Sequence, residues 1–388
     1  RALADPAEGR LTDSLAVVSR SAVAILIGTV GIATILWDAF ETILLPRRVS
    51  GPFRIARLTV RSMWKLWAWL ARGQRTSVAR ENLLGLFAML AMVTLLMVWA
   101  AGLILGFALL HWAAGSRMML SSGHAGFFTD LYMSGTTFFT LGLGDVAPAS
   151  RAARVITVIE CGMGFGFLAL VVSYLPVLYQ AFSRREARIV MLDEWAGSPP
   201  SASVLLARSG EAGEPAALTS LFKDWEIASA ELLESHLSYP VLAYFRSQHD
   251  NQSWLAAITT MLDASALTIS GLEWLPTLQA RLMFAMGRHA LVDLSQVFRV
   301  RPVKDGPDRL PPPDLERLRA ILAESGLHLR ADDAALKQLT ELRGMYEPYA
   351  LALSRHLLMP LPTWLPPEKA KFNWQTTAWA RTGREELH

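Results

Sequence analysis

The most constraining feature of the sequence is an apolar stretch at residues 83–112. It contains no charged side chain in 30 positions, whereas a helix of about 20 apolar residues already crosses the hydrocarbon core of a bilayer. A second apolar stretch, at residues 155–182, contains one charged residue, Glu160. A third stretch, at residues 21–45, has two acidic residues in its second half. The chain is therefore predicted to be a membrane protein with three spanning helices.

Composition and the placement of charge agree with a membrane protein. Only 18% of the residues are charged, against about 25% in a typical soluble domain, and the mean hydropathy is +0.29. Residues 47–80 contain nine basic residues and no acidic one, whereas residues 183–388 contain 22 basic and 25 acidic residues. Because the basic excess lies at the edge of the predicted membrane region, nucleic acid is not a predicted partner.

The distribution of Lys and Arg also predicts the orientation. Short basic segments stay on the cytoplasmic side, which places residues 47–80 inside the cell. The loop at residues 113–154 is then outside, the N-terminus is outside as well, and the chain after residue 182 is cytoplasmic. We expect a multi-pass protein of the cell (inner) membrane, in which residues 1–46 contain the first spanning helix.

Two glycines, Gly142 and Gly144, alternate with leucines in the loop between the second and third spans. Glycine adopts positive φ at no steric cost, and a backbone that aims successive carbonyls at one axis has to alternate its handedness. Rings of such carbonyls replace the water around a dehydrated cation. The pattern therefore predicts an ion selectivity filter. Its ion-binding residues are Thr140, Leu141, Gly142, Leu143 and Gly144, with Asp145 at the outer mouth.

The sequence Thr-Leu-Gly-Leu-Gly-Asp at 140–145 resembles the filter of prokaryotic-type potassium channels, which usually reads Thr-Val-Gly-Tyr-Gly-Asp. The resemblance implies an all-α membrane fold with a pore domain at residues 81–182. Because one loop cannot close a ring of carbonyls, it also implies a homotetramer, with potassium ions in the filter and no other cofactor. The implied pore elements are an outer helix at 83–112, a re-entrant pore helix and filter at 128–145, and an inner helix at 155–182.

The filter sequence departs from the usual pattern at Leu143, where most relatives have Tyr or Phe. No ring hydroxyl can then brace the filter through the pore helix. Together with Phe138 and Phe139, Leu143 indicates a filter held by apolar packing. The second pore of some two-pore-domain potassium channels also has leucine there, so the resemblance still implies potassium selectivity.

Two residues are candidate supports for the filter. Thr136 stands where one type of potassium-channel pore has a glutamate that pairs with the filter aspartate. Glu160 is the alternative, because an ionisable group within a membrane span is expensive to bury and is functional by default. It either reaches the pore helix or the outer wall of the pore, or it makes a structural hydrogen bond to a neighbouring helix.

The predicted inner helix contains glycines at 162, 164 and 166 and a proline, Pro176. Counted from the filter, Gly164 matches the gating hinge of potassium-channel inner helices, and Pro176 removes a helical hydrogen bond. Small residues in membrane helices also serve close packing. We assign the hinge to Gly164 and Pro176, and packing to Gly162 or Gly166.

The basic segment at residues 47–80 has the pattern of an amphipathic helix. Arg-rich helices also sense voltage, but a sensor needs a surrounding helix bundle, and only one spare span exists. An interfacial helix with basic groups on anionic lipid headgroups fits better, and it resembles the slide helix of inward-rectifier channels. Asp38 and Glu41 are expected to pair with nearby basic residues. The predicted lipid-facing residues are Arg54, Arg57, Arg61 and Lys65.

Residues 183–388 are predicted to form a helical cytosolic domain with a tail rich in Trp and Pro, containing Trp364, Trp374 and Trp379. The spacing of apolar residues is helical, and no Gly-x-Gly-x-x-Gly turn is present. The domain is expected to gate or assemble the pore, with an unknown ligand or partner. The tail docks on the bundle or on a partner, or it has no fixed structure.

The histidines of this region give no compact metal-ligand signature, so no metal site is predicted at His236, at His249 with Asp250, or at His289 with Asp293. No nucleophile–base pair is evident either, so the chain is not expected to be an enzyme.

These observations predict a potassium-selective channel that conducts passively. One alternative is a non-selective cation channel, or a subunit of a potassium uptake transporter. Such transporters usually carry four unequal repeats with a single filter glycine each. The other alternative is a membrane sensor that keeps a pore-like fold and signals through its cytosolic bundle.

Overall fold

The computed structural model describes most of the chain and divides it into two compact units. The first unit comprises the described residues up to Gly73 together with Leu86–Tyr179, and the second comprises Gln74–Gly85 together with the described residues from Gln180 onward. The described residues are 6–43, 54–115, 118–120, 126–248, 251–272 and 277–366.

Among the described residues, the chain up to Ala196 forms five helices and two short strands, and the third and fifth helices extend from the first unit into the second. In the part of the chain that the structure describes, three helices are long and apolar enough to cross a membrane: α1 over Ser21–Ile43, α3 and α5. The prediction of three apolar helical segments is confirmed. The elements are α1 (Pro6–Ile43), α2 (Ile55–Arg72), α3 (Ser77–Ala113), β1 (Met118–Leu120), α4 (Phe127–Phe138), β2 (Val146–Pro148) and α5 (Arg151–Ala196).

Helix α1 packs closely on α3 at a Gly-x-x-x-Gly pair, Gly102 and Gly106. A Cβ atom at Gly102 would lie 2.3 Å from Ile35 Cδ1, and one at Gly106 would lie 2.6 Å from Ile32 Cγ1. A Cβ atom at Gly28 would lie 2.8 Å from the carbonyl oxygen of Gly106. Glycines at such positions let two membrane helices approach to backbone contact, which increases dispersion attraction between them. The additional N-terminal helix is thus fitted to the outer helix.

Polar contacts of the acidic residues in α1 fix the start of α2. Asp38 is buried and accepts hydrogen bonds from the Ala56 backbone N–H and from Trp99 Nε1, both at 2.9 Å. The first N–H groups of a helix lack partners within the helix, and the carboxylate satisfies one of them. Arg54 lies 3.6 Å from Glu41. The expected pairing of the acidic residues with basic ones is confirmed for Glu41, whereas Asp38 caps a helix instead.

The all-α expectation is wrong in one detail, because β1 and β2 form a two-stranded antiparallel sheet next to the filter. Met118 pairs with Pro148, and Leu120 pairs with Val146. Strands of three residues are too short for a period-two pattern to show in the sequence. The predicted pore helix is α4, which begins at Phe127, one residue before the predicted start at residue 128.

The predicted end of the inner helix at residue 182 is also wrong. Helix α5 continues to Ala196 and ends at Gly197, whose φ is +80°. Polar residues follow the apolar stretch, but the helix continues through them. Ile189, Leu192 and Ala196 are buried at helical spacing, which keeps one face of this part of the helix packed. In the same way α3 begins at Ser77, before the apolar stretch starts at residue 83. The predicted domain boundaries at 80/81 and 182/183 therefore fall inside continuous helices.

The described part of the second unit is a helical bundle built around α8. Every residue of α8 from Trp254 to Ser270 is buried, because α6, α7, α9 and α11 pack on it. The prediction of a mostly helical C-terminal region is confirmed. The further elements are α6 (Ala202–Ala212), α7 (Pro215–Ser238), a 3-10 helix (Pro240–Tyr244), α8 (Trp254–Gly271), α9 (Thr277–Phe298), α10 (Pro312–Glu324) and α11 (Asp333–Leu357).

A buried ionic cluster joins α8 to α11 and to the C-terminal segment. Arg309 donates to both oxygens of Asp263, at 3.1 and 2.6 Å, and to Glu347 at 3.0 Å. Tyr346 donates to the same aspartate. The guanidinium of Arg309 also lies 5.6 Å from the centre of the Trp364 ring, which is buried. Docking of the tail on the bundle is thus confirmed at Trp364, whereas Trp374 and Trp379 lie outside the described residues.

Candidate functional site: the pore loop

The pore loop follows directly from the C-terminal end of α4. The N–H groups of Thr140 and Leu141 donate to the carbonyl oxygens of Thr137 and Thr136, at 2.9 and 2.8 Å. These bonds turn the chain out of the helix with no intervening loop. The last carbonyls of a helix carry partial negative charge, so the end of α4 adjoins the filter with the polarity that favours a cation.

Along the predicted filter the backbone angle φ is positive at every second residue. Thr140, Gly142 and Gly144 have φ values of +58°, +54° and +78°, whereas Leu141 and Leu143 do not have positive φ. The two glycines adopt the positive φ that their spacing predicts. Thr140 is a β-branched residue in the left-handed region, a conformation that costs about 1–2 kcal/mol and persists where the surroundings impose it.

The side chains of the filter are exposed within one chain. Leu141 and Leu143 are 61% and 62% exposed, and Phe139 is 55% exposed. The apolar packing expected around the predicted filter is therefore present at Phe138, which is buried with its ring 5.6 Å from that of Phe167, but not at Leu143 among the described residues of a single chain. Instead the Tyr132 hydroxyl, on α4, donates to Asp145 at 2.9 Å.

Sequence reasoning missed the contact between Tyr132 and Asp145. A signal was available, because Leu143 removes the usual filter hydroxyl and Tyr132 is the tyrosine nearest to the filter in sequence. The hydroxyl that contacts the end of the predicted filter is thus on α4 and not within the filter sequence.

Glu160, on α5, joins α3 and α4 through buried polar contacts. Its side chain is fully buried and accepts a hydrogen bond from the Ser134 hydroxyl of α4. Its Oε2 atom lies 3.1 Å from Nε2 of His111 on α3. Glu160 thus both reaches the pore helix and bonds to a neighbouring helix. His111 was missed, although it is the only titratable residue in the charge-free stretch 83–112.

Thr136, the other candidate support, does not reach the filter with its side chain. Its hydroxyl donates to the Met133 carbonyl oxygen of the same helix, at 3.0 Å. Only its backbone carbonyl contacts the filter, through the Leu141 N–H. Any support from Thr136 is therefore independent of its side chain.

Gly164 is packed against the end of the pore helix. A Cβ atom there would lie 2.0 Å from the carbonyl oxygen of Phe138, whereas Gly162 and Gly166 have open space around them among the described residues. The assignment of packing to Gly162 or Gly166 is therefore wrong, since Gly164 makes the close contact. Helix α5 runs through Gly164 and Pro176 without a break, and their role as hinges stays a prediction.

The basic residues of α2 do not share one environment. Arg61 and Lys65 are exposed, Arg57 is half-buried, and Arg54 is turned towards Glu41. One face of the helix is buried, and its Trp64 ring lies 4.7 Å from that of Phe87. Only part of the predicted lipid-facing set is thus exposed in the first unit.

Two of the candidate histidines, His236 and His289, contact protein groups. His236 is buried, its Nδ1 donates to the Leu232 carbonyl oxygen at 2.7 Å, and burial lowers its pKa to about 3. His289 lies 3.5 Å from Asp293. No group of three His, Cys, Asp or Glu residues with a metal-binding arrangement occurs among the described residues, and His249 with Asp250 lies outside them.

Comparison with known proteins assigns the pore region. Residues 92–180, from within α3 to within α5, match the family model described as an ion channel. These residues belong to a pore-loop ion channel family. The matched residues include the predicted filter, the buried Glu160 contact and Gly164, and the match supports a transport-type protein.

A relative extends the similarity beyond the ion-channel domain. The uncharacterized membrane protein YdjJ of Bacillus subtilis (strain 168) is 22% identical over 276 residues. The alignment covers 66% of this chain and 74% of the relative. The name of this relative and the three candidate spans of the present chain both indicate a membrane protein. No solved structure matches the chain.

Proposed function

We propose that the protein is a potassium-selective channel that conducts passively through a homotetrameric pore. The observation that carries the proposal is the alternation of φ at Thr140, Gly142 and Gly144 within an ion-channel domain. Such alternation lets successive backbone carbonyls point the same way, as required to replace the hydration shell of a potassium ion. The filter would hold potassium ions and no other cofactor.

The exposure of apolar side chains supports assembly around the pore. Leu141 and Leu143 of the filter are exposed in one chain, as are Val158 and Phe165 of α5. Exposed apolar side chains on a spanning helix are explained by contact with lipid. A non-helical loop at membrane depth cannot face lipid, because its unpaired backbone groups have to be enclosed by protein or face a water-filled cavity. Four copies around an axis would enclose it.

Two sets of contacts would support the filter in place of the ring hydroxyl that Leu143 lacks. They are the contact of Tyr132 with Asp145 and the contacts of Glu160. The first holds the outer end of the filter to α4. The second holds α4 to α3 and α5 through buried polar groups. Breaking a buried polar contact costs more than an exposed one because the partner left behind stays desolvated. The pore helix is thereby held from both sides.

Reversal potentials in a potassium–sodium gradient, measured with the full chain in planar bilayers, test the proposal. We expect a reversal potential near that of potassium. Tyr132→Phe, which removes only the hydroxyl, is expected to lower the permeability ratio or to shorten the conducting state. Equal permeability of the two ions in the native protein would instead identify a non-selective cation channel. No flux under any lipid, voltage, calcium or pH condition would favour the sensor.

The membrane partner of α2 follows from its exposed surface. Arg61 and Lys65 are exposed beside Leu58, Leu66 and Trp69, an arrangement suited to a helix lying in the interface of an anionic leaflet. Positive-inside placement of this helix supports a cell (inner) membrane protein. Its N-terminus would be outside and its C-terminal helical domain cytoplasmic.

A further inference from the structure

The segment that follows α7 in the second unit, Pro240–Arg246, has a concentration of side-chain to backbone contacts. We call this segment the connector. It consists of the 3-10 helix and two further residues, Phe245 and Arg246. A 3-10 helix has poorer hydrogen-bond geometry than an α-helix, so its backbone groups are open to bonding by side chains from other elements. Side chains of α3, α5, α8, α9 and α11 meet the connector.

Arg185 bonds the connector to α5. Its guanidinium donates to the carbonyl oxygens of Leu242 at 2.8 Å and Phe245 at 3.0 Å. The side chain is buried, and it also holds Glu186 at 2.9 Å and lies over the Phe182 ring. Charge-assisted bonds to two carbonyls fix the direction of the guanidinium plane as well as its position. The connector cannot shift without moving this part of α5.

Arg246 bonds the connector to α11 and to α3. It donates to the last carbonyls of α11, those of Leu357 at 2.6 Å and Leu358 at 3.2 Å. Its Nε atom lies 3.8 Å from Glu81, near the start of α3. Burial lowers the pKa of Arg246 to about 10, which leaves the guanidinium charged at neutral pH. One side chain thus spans the end of the bundle and the start of the outer helix.

The remaining contacts bring in the central helices of the bundle. Trp254 Nε1, at the start of α8, donates to the Ala243 carbonyl oxygen at 3.1 Å. The Tyr244 hydroxyl lies 3.2 Å from His356 Nε2 on α11, and its ring packs edge-on against Phe298 of α9 at 5.6 Å. The connector is therefore bonded on one side to the bundle and on the other to the two helices that continue into the ion-channel domain.

We propose that the connector transmits conformational changes of the C-terminal helical domain to the pore, with Arg185 and Arg246 as its positioning residues. The inference rests on the proposed channel function. Helices α3 and α5 are continuous from Glu81 and Arg185 into the ion-channel domain. A displacement at Glu81 is therefore carried along α3, and one at Arg185 moves α5 as a whole or bends it at Pro176. A ligand or partner that changes the ends of α8 or α11 thereby changes the relative stability of open and closed pores.

Single-channel recording of the full chain in bilayers tests the gating role. Arg246→Gln removes the bonds to α11, and Arg185→Lys keeps the charge but loses the fork that bonds two carbonyls. Each is expected to change the ratio of open to closed times by about fivefold or more, with unitary conductance and reversal potential unchanged. Arg317→Gln is the matched control, because Arg317 is exposed and its contact to Asp314 is 4.0 Å long.

Hydrogen exchange of the same full-chain variants gives a readout that does not depend on conduction. Arg246→Gln is expected to speed exchange about tenfold at residues 180–190 of α5, although Arg246 itself contacts α3 and α11. Arg185→Lys is expected to do the same at residues 354–359. These reciprocal effects would support the connector even if the native protein carried no current, an outcome that would refute only the channel.

Two results would overturn the inference. One is exchange that rises only around the mutated residue, or uniformly over the second unit together with a lower melting temperature. The other is a native ratio of open to closed times in both variants of a conducting channel. A change in conductance or selectivity together with gating would indicate general damage to the pore and would also count against it.

Discussion

Replacement of Gly164 by alanine is the sharpest perturbation that the structure offers. The added Cβ atom would lie 2.0 Å from the Phe138 carbonyl oxygen, 2.8 Å from its carbonyl carbon and 3.0 Å from its Cα atom. A carbon–oxygen contact normally needs about 3.3 Å. The end of α4 and the α5 backbone therefore have to separate by about 1.3 Å at this point. All three atoms belong to backbone, so no side-chain rotation relieves the contact.

The displacement reaches the filter because Phe138 is the last residue of α4 and Thr140 follows two positions later. Overpacking of this kind costs about 1–3 kcal/mol in a packed core, which leaves a folded protein with a shifted loop. Ion selectivity depends on carbonyl positions within the filter. We therefore expect Gly164→Ala to lower unitary conductance at least about tenfold, or to abolish the preference for potassium. A tenfold loss of conductance corresponds to a free-energy barrier to conduction that is higher by about 1.4 kcal/mol.

Single-channel currents and reversal potentials in a potassium–sodium gradient measure this effect. Gly162→Ala is the matched control, because the same methyl group two residues away meets open space among the described residues. If Gly164 acts as a hinge, the substitution changes the open probability and leaves conductance and selectivity as they were. That result, or an equal loss of conductance in Gly162→Ala, would refute the packing argument.

Two predictions concern the second unit, both measured by unfolding of the full chain in detergent. His236 has a pKa of about 3 when folded and about 6.5 when unfolded, so the stability it contributes is full above pH 6.5 and falls by up to about 1.4 kcal/mol per pH unit below it. His236→Gln should flatten this dependence and His289→Gln should not; equal curves for the two variants would contradict the burial argument. Asp263→Asn removes the carboxylate that binds Arg309 through both oxygens and leaves Glu347 as its counter-charge, so it is expected to cost about 3 kcal/mol, against about 0.5 kcal/mol or less for the exposed Arg317→Gln. Equal loss in both would show that the buried cluster contributes nothing.

The membrane spans and the positive φ values of the predicted filter could be predicted because the residues that determine each of them are neighbours in the sequence. Hydropathy depends on local composition, so the charge-free stretch at residues 83–112 predicts a spanning helix without any knowledge of its tertiary contacts. The same holds for Gly142 and Gly144, since positive φ is a property of single residues.

Pairings between distant residues could not be predicted in the same way. The contact of Glu160 with His111 joins residues 49 positions apart, and nothing in either local sequence specifies the partner. The end of α5 was misplaced for a different reason. Hydropathy detects where a helix leaves the membrane, whereas a helix ends where its hydrogen bonds and caps end, here at Gly197.

The burial of Asp263 in α8 has a consequence for the synthesis of the chain beside a membrane. The helix is buried on all sides, so its apolar side chains resemble those of a spanning segment as it leaves the ribosome beside a membrane already engaged by α1, α3 and α5. Asp263 is the tenth of its 18 residues, and a carboxylate near the centre of a nascent segment opposes insertion by about 2.5–3.5 kcal/mol. Arg309, which neutralises it, is synthesised 46 residues later. We therefore expect this charge to oppose insertion of α8 into the bilayer before Arg309 is synthesised.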